Sequence, residues 1–170
     1  MNTQKVFNDN LRVGEDFEVR YAQPMLIQYY SDCWITPTHN FKISDGTAGG
    51  PRMHRAGHKS LILPDFLITR ATTPTERVFV EAKWKKQPFS LVGGSRYFAI
   101  EDYKCRDYEE AAVIFGANLL YLIGCDEDRS LYMYNADDFI FHTFTNKFTK
   151  YRPVLNRCFE QNPSNIVGTF

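Results

Sequence analysis

The stretch LILPDFLITRATTPTERVFVEAKWKK, residues Leu61 to Lys86, decides how the chain is read. Two runs rich in Val, Ile, Leu and Phe, Leu61 to Arg70 and Arg77 to Lys85, flank the polar segment ATTPTE with Pro74 inside it. Apolar runs bounded by such a segment signal a hairpin, here with a loop longer than two residues. Alternation then places the charges. Glu81, Lys83 and Lys85 share one strand face, and Val80, Ala82 and Trp84 the other. In the first run Leu63, Asp65 and Leu67 share a face, so a hairpin centred on residue 73 or 74 sets Asp65 opposite Glu81 or Lys83. Opposed Cβ atoms lie about 4.5–5.5 Å apart and diagonal ones about 7–8 Å, so both carboxylates can reach one cation between them.

A plainer reading makes Asp65 a turn residue after Pro64, and Glu81 with Lys83 a solvated charge pair. Against it, Asp65 lies in LPDFLI and Glu81 in VFVEAKW. A charge set among such apolar neighbours needs a partner or a metal.

Pro64-Asp65 followed after fifteen residues by Glu81-Ala82-Lys83 resembles the PD-(D/E)XK signature of the restriction-endonuclease-like nuclease superfamily. The resemblance implies an α/β fold with an αβββαβ core, a central mixed β-sheet flanked by helices, and catalysis by Asp65, Glu81 and Lys83. It further implies Mg²⁺, with Mn²⁺ as a substitute, held by Asp65 and Glu81, with the Ala82 carbonyl and Glu18 completing the shell. In such nucleases the first helix often carries a Glu that reaches the metal. Glu18 in GEDFE is the better match and Glu15 the second, the alternative being an ordinary acidic residue favoured near a helix N-terminus. Some members carry Gln-x-x-x-Tyr on the later helix. Here Lys104 stands in the Gln place and Tyr108 is retained; otherwise Tyr108 is core and Lys104 snorkels.

Around the signature, Val13 to Tyr30 fits a helix with Val13, Phe17, Tyr21 and Ile27 near one stripe, which Pro24 must kink or split. Cys33 to Thr36 reads as a strand stopped by Pro37. Residues 38–60 read as a long loop, of a length that is usually functional or mobile. His54 and His58 within it lack the fixed helical face that a zinc pair needs. Gln87 to Ser95 is a second loop, Glu101 to Gly116 a helix, and Asn118 to Cys125 with Ser130 to Asn135 a second strand pair around Asp126-Glu127-Asp128. Ala136 to Phe144 suggests a short helix, and the last 25 residues show no clear period. The expectation is one domain over residues 1–170, with a core at about 12–135 and a C-terminal extension.

At 170 residues, 44% hydrophobic and 15% aromatic, the chain can bury a core and is not disordered. No run approaches the 18 or more apolar residues of a membrane span and MNTQKVFNDN is no signal peptide, so a soluble, cytoplasmic protein is expected. The scattered Cys33, Cys105, Cys125 and Cys158 form no CxxC pair, which fits reduced structural thiols.

Twenty basic residues balance twenty acidic ones, so net charge offers no support for a nucleic-acid partner. The distribution does: Arg77 to Arg106 holds seven Lys or Arg against three acids. Lys85, Lys86, Arg96 and Lys104, with Tyr108, are the expected nucleic-acid contacts. The function that the resemblance implies is Mg²⁺-dependent hydrolysis of phosphodiester bonds, with DNA as the expected substrate and endonuclease preferred to exonuclease because no clamp-like extra domain is evident. The alternative is an inactive nuclease-fold module that binds nucleic acid or protein, and homodimerisation is left open.

Overall fold

A computed structural model describes residues 12–38, 52–54, 56–91, 93–145 and 152–170, and in it the central hairpin forms with one break. Its strands are β1 (Cys33–Pro37), β2 (Arg52–Met53), β3 (Leu61–Ile62), β4 (Phe66–Arg70) and β5 (Arg77–Lys85). The first apolar run is therefore two strands. Pro64 has no N–H to give a ladder, so pairing stops before it, and β3 pairs instead with β2 from the preceding loop. β4 begins directly after Asp65 and runs antiparallel to β5, with Phe66 opposite Val80 and Leu67 opposite Phe79. Continued by one residue, this register sets Asp65 opposite Glu81, the first of the two expected partners.

Next come β6 (Phe89–Ser90), β7 (Arg96–Glu101), the helix Asp102–Phe115, β8 (Ala117–Cys125) and β9 (Ser130–Asn135). β5 and β8 are parallel, with Val80 beside Leu120. Parallel neighbours need a crossover, and β6, β7 and the helix supply it. That helix stops at Gly116, whose φ of 58° places it in the left-handed region that glycine tolerates. β8 is buried without interruption from Tyr121 to Cys125, as suits a strand covered on both faces.

The chain closes with β10 (Ile140–Thr145), β11 (Pro153–Glu160) and β12 (Ile166–Thr169). One mixed sheet has the order β1-β4-β5-β8-β9-β12, and a second has the order β10-β11-β7-β6. Helix, β1, β4, β5, helix and β8 reproduce the αβββαβ order expected of a restriction-endonuclease-like core.

Three expectations are corrected here. Ala136 to Phe144 is no helix, because Ile140 to Thr145 pairs with β11. Gln87 to Ser95 is not all loop: Phe89–Ser90 is a short strand paired with Tyr97 and Arg96 of β7, whose Phe98 and Ile100 turn inward. The final residues are no appendage to a core at 12–135, since β12 pairs with β9 in the main sheet and β11 joins β7 in the other.

The N-terminal helix runs through residues 12–17, a π turn at Glu18–Ala22 and an α segment at Gln23–Tyr29. Pro24 is accommodated by the wide turn ahead of it, in which the Gln23 N–H reaches the Glu18 carbonyl five residues back. The extra residue rotates the apolar stripe. Phe17, Ala22 and Leu26 are buried, while Val13 and Ile27 of the expected stripe stay exposed. Phe17 packs so tightly on β8 that a Cβ at Gly124 would lie 2.2 Å from its ring.

Two cores result. Val80, Ala82 and Leu122 face the N-terminal helix. Phe79, Tyr121 and Ile123 face the Asp102–Phe115 helix and the second sheet. Glu81 follows Phe79 on this second face.

Candidate active site

The site forms where β4 stops short of its neighbour. From Glu81 to Lys85, β5 is paired with β8 alone. In place of a strand, the Asp65 carboxylate reaches across, and its Oδ2 accepts the Ala82 N–H at 2.8 Å. Asp65 is 8% exposed and Glu81 only 1%. Neither is a solvated surface charge.

The Glu81 carboxylate is divided in its partners. Oε1 accepts the Tyr108 hydroxyl at 2.6 Å and forms an ion pair with the Lys83 ammonium. Oε2 is buried without a hydrogen bond. Burial, and then the neighbouring Asp65 charge, push the Glu81 carboxyl up to about 7, although Lys83 and Tyr108 act in the opposite sense. Burial also works against the Lys83 ammonium, but Glu81, Asp65 and, less strongly, Glu18 outweigh it and hold that group above its ordinary value. Glu18 thus acts on the site although its helix covers the other face, because β5 has no strand beside it beyond Asp65.

Two carboxylates close enough to raise each other's cost, with a buried oxygen lacking a donor, are a donor set suited to a hard cation. Among the described residues no group of three or more His, Cys, Asp or Glu converges to enclose a metal. Glu18 is therefore near the site without forming a three-carboxylate cage with Asp65 and Glu81.

The expected nucleic-acid contacts divide. Lys86 is exposed. Lys85 is partly buried beside Glu101, Lys83 and Lys104, and burial together with the two lysines pushes it down to about 8. Lys104 is paired with Glu101 at 3.1 Å, and Arg96 with Glu127. Tyr108, 3% exposed, is turned to Glu81 and cannot touch a nucleic acid. That expectation is corrected by the helix phase, which points Tyr108 with Cys105 and Ala112 at the sheet. Arg157, the last basic residue of the stretch Lys147 to Arg157, is buried between Asp102 at 2.9 Å and Glu109 and is withheld from a substrate. Lys147 and Lys150 lie outside the described residues. So does most of the loop 38–60, although His54 and His58 are described and exposed.

Sequence reasoning missed the Tyr108 contact and the Asp102–Arg157–Glu109 group. The first signal was present, since Tyr108 lies on the apolar stripe of its helix. The second joins the Asp102–Phe115 helix to β11, where Asn156 to Phe159 are buried in one run and no alternation marks Arg157.

No protein family model matches the chain, and no curated protein does. Among solved structures it is similar to Hjc, a Holliday junction resolvase from the archaeal hyperthermophile Archaeoglobus fulgidus, at 12% identity and a TM-score of 0.48, over 84% of this chain and 88% of that one. Among the described residues no helix is long and apolar enough to cross a membrane.

Proposed function

We propose that this chain is a divalent-cation-dependent nuclease that hydrolyses DNA internally, with Asp65, Glu81 and Lys83 as its catalytic set. The observation that carries this reading is the convergence of two buried carboxylates and a lysine at the one place where β5 lacks a neighbour. A purely structural ion pair would not need Asp65 beside an already costly Glu81.

Asp65 and Glu81 would hold Mg²⁺ or Mn²⁺, with the Ala82 carbonyl and Glu18 as further donors. Mg²⁺ commonly takes one or two carboxylates and completes its coordination with water and substrate phosphate, so a three-carboxylate cage is not required. When bound, such a cation lowers the pKa of its water and polarises the phosphoryl oxygen.

The chain's own groups do the rest. Lys83, protonated and anchored by Glu81, presents positive charge to the scissile phosphate and stabilises the charge that develops there. It is not a general base, because its neighbours hold its proton firmly. Asp65 is oriented by the Ala82 N–H. Lys85 and Lys86 extend the positive face beyond Lys83 for flanking phosphates. The strands β11 and β12 support treating residues 1–170 as one nuclease-like domain.

The test is cleavage of supercoiled plasmid and of single-stranded DNA with Mg²⁺, Mn²⁺ or EDTA, using Asp65→Ala as control. Metal-dependent cutting lost in the variant is expected. Retained DNA binding without any cutting by the wild type would favour the inactive module instead.

A further inference from the structure

We infer that Tyr108 is a positioning residue for Glu81: its hydroxyl fixes which carboxylate oxygen is offered to a divalent cation. This rests on the proposed cation site. Tyr108 lies on the stripe of the Asp102–Phe115 helix that packs on the sheet, and its ring is buried beside Tyr121 with centroids 6.4 Å apart. The only polar atom of its side chain meets Glu81 Oε1 at 2.6 Å.

The geometry separates two roles within one carboxylate. Oε1 takes both donors, the Tyr108 hydroxyl and the Lys83 ammonium. Oε2 takes none and remains buried. A carboxylate can turn about its last torsion at little cost, since that torsion is broad. Lys83, on a flexible four-carbon stem, can follow such a turn, whereas Tyr108, packed into the helix–sheet core, cannot. The phenol is therefore the rigid one of the two donors.

This accounts for a tyrosine that is buried yet hydroxylated. Phe79, Phe98 and Phe159 show that the same core accepts phenylalanine, so packing alone does not call for the oxygen. The Tyr121 hydroxyl lies in that core without a hydrogen-bond partner, whereas the Tyr108 hydroxyl is directed at Glu81.

The test is Tyr108→Phe, which keeps the ring and removes only the donor, with Tyr121→Phe as a control whose hydroxyl is buried in the same core without touching Glu81. Mn²⁺ affinity is measured on each protein without DNA by electron paramagnetic resonance, and cleavage is measured across Mn²⁺ concentrations. Tyr108→Phe should weaken Mn²⁺ binding about five- to tenfold and raise the Mn²⁺ needed for half-maximal cleavage by the same factor, with the rate at saturating Mn²⁺ largely restored. Tyr121→Phe should leave the affinity unchanged. Unaltered Mn²⁺ affinity in Tyr108→Phe overturns the inference, as does an equal loss in both variants, which would indicate general loosening of the core. Glu81→Ala keeps the two failures apart: if it binds Mn²⁺ as the wild type does, the cation site itself is wrong; if it loses binding while Tyr108→Phe does not, only the positioning role falls.

Discussion

Asp65 Oδ2 accepts the Ala82 N–H at 2.8 Å, so a side chain occupies the place on β5 that the next residue of β4 would have filled. One carboxylate thereby completes the sheet and stands at the proposed reaction centre. Asp65→Ala should abolish cleavage and also leave a buried N–H without a partner, at roughly 1–3 kcal/mol. Asp65→Asn should abolish cleavage too, but it keeps an acceptor while relieving the repulsion felt by Glu81. Urea unfolding without cation should therefore rank Asp65→Asn above Asp65→Ala. Equal stability would mean that the bond contributes nothing.

The Glu81 carboxyl gives a pH signature. Its folded-state value is raised from 4.5 to about 7. Between these values the unfolded chain ionises this group while the folded protein keeps it protonated, so stability falls as pH rises through that window. The full cost, on the order of 3 kcal/mol, is present above pH 7. Thermal unfolding in EDTA should show this decline, and Glu81→Gln should flatten it. Mg²⁺ should restore stability chiefly at the upper end, where the carboxylate is ionised. A decline that persists in Glu81→Gln would assign it to another group.

Glu18 and Glu15 should separate in their effects. Lys83 feels the charge of Glu18. Glu18→Gln should raise the Mg²⁺ concentration required for half-maximal cleavage severalfold, and Glu15→Gln should not. Similar small effects would leave the helix with a packing role alone.

Substrate binding should draw unequally on the basic residues. Arg96 and Lys104 have carboxylate partners within the chain, whereas Lys86 is exposed and Lys85 sits in a lysine-rich setting. In Ca²⁺, without cleavage, replacing Lys85 and Lys86 with Ala should flatten the slope of log K against log salt by about two on duplex DNA. Arg96→Ala should change it by less than one. A larger effect from Arg96 would show that its pair with Glu127 opens when DNA binds.

How much of this was legible in the sequence depended on the strength of alternation. In Arg77 to Lys85 the period of two placed Glu81 and Lys83 on one face, and the register with β4 is that of a hairpin centred on residue 73. Pro64 was read as part of the motif and not as the ladder's stop, so the split of β3 from β4 was missed. In β11, four consecutive buried residues, Asn156 to Phe159, mix polar and apolar types. No hydrophobic period survives there, because Arg157 is buried by ion pairing and Asn156 bonds the Val154 carbonyl. The stripe of the N-terminal helix was misphased because a single surplus residue leaves no mark in composition.

That surplus residue links the length of the helix to its reach. Phe17 and Leu26 are nine positions apart, which at about 100° per residue would set them on opposite sides of a regular α-helix. The π turn brings both to the sheet. Removing one residue from Glu18–Ala22 would keep that face buried in a regular helix while taking away the wide turn on which Glu18 is carried. For this segment, insertions and deletions are thus a sharper change than substitutions: the register of the chain, more than the chemistry of any one side chain, decides whether the first helix carries Glu18 towards Lys83 or only closes the core.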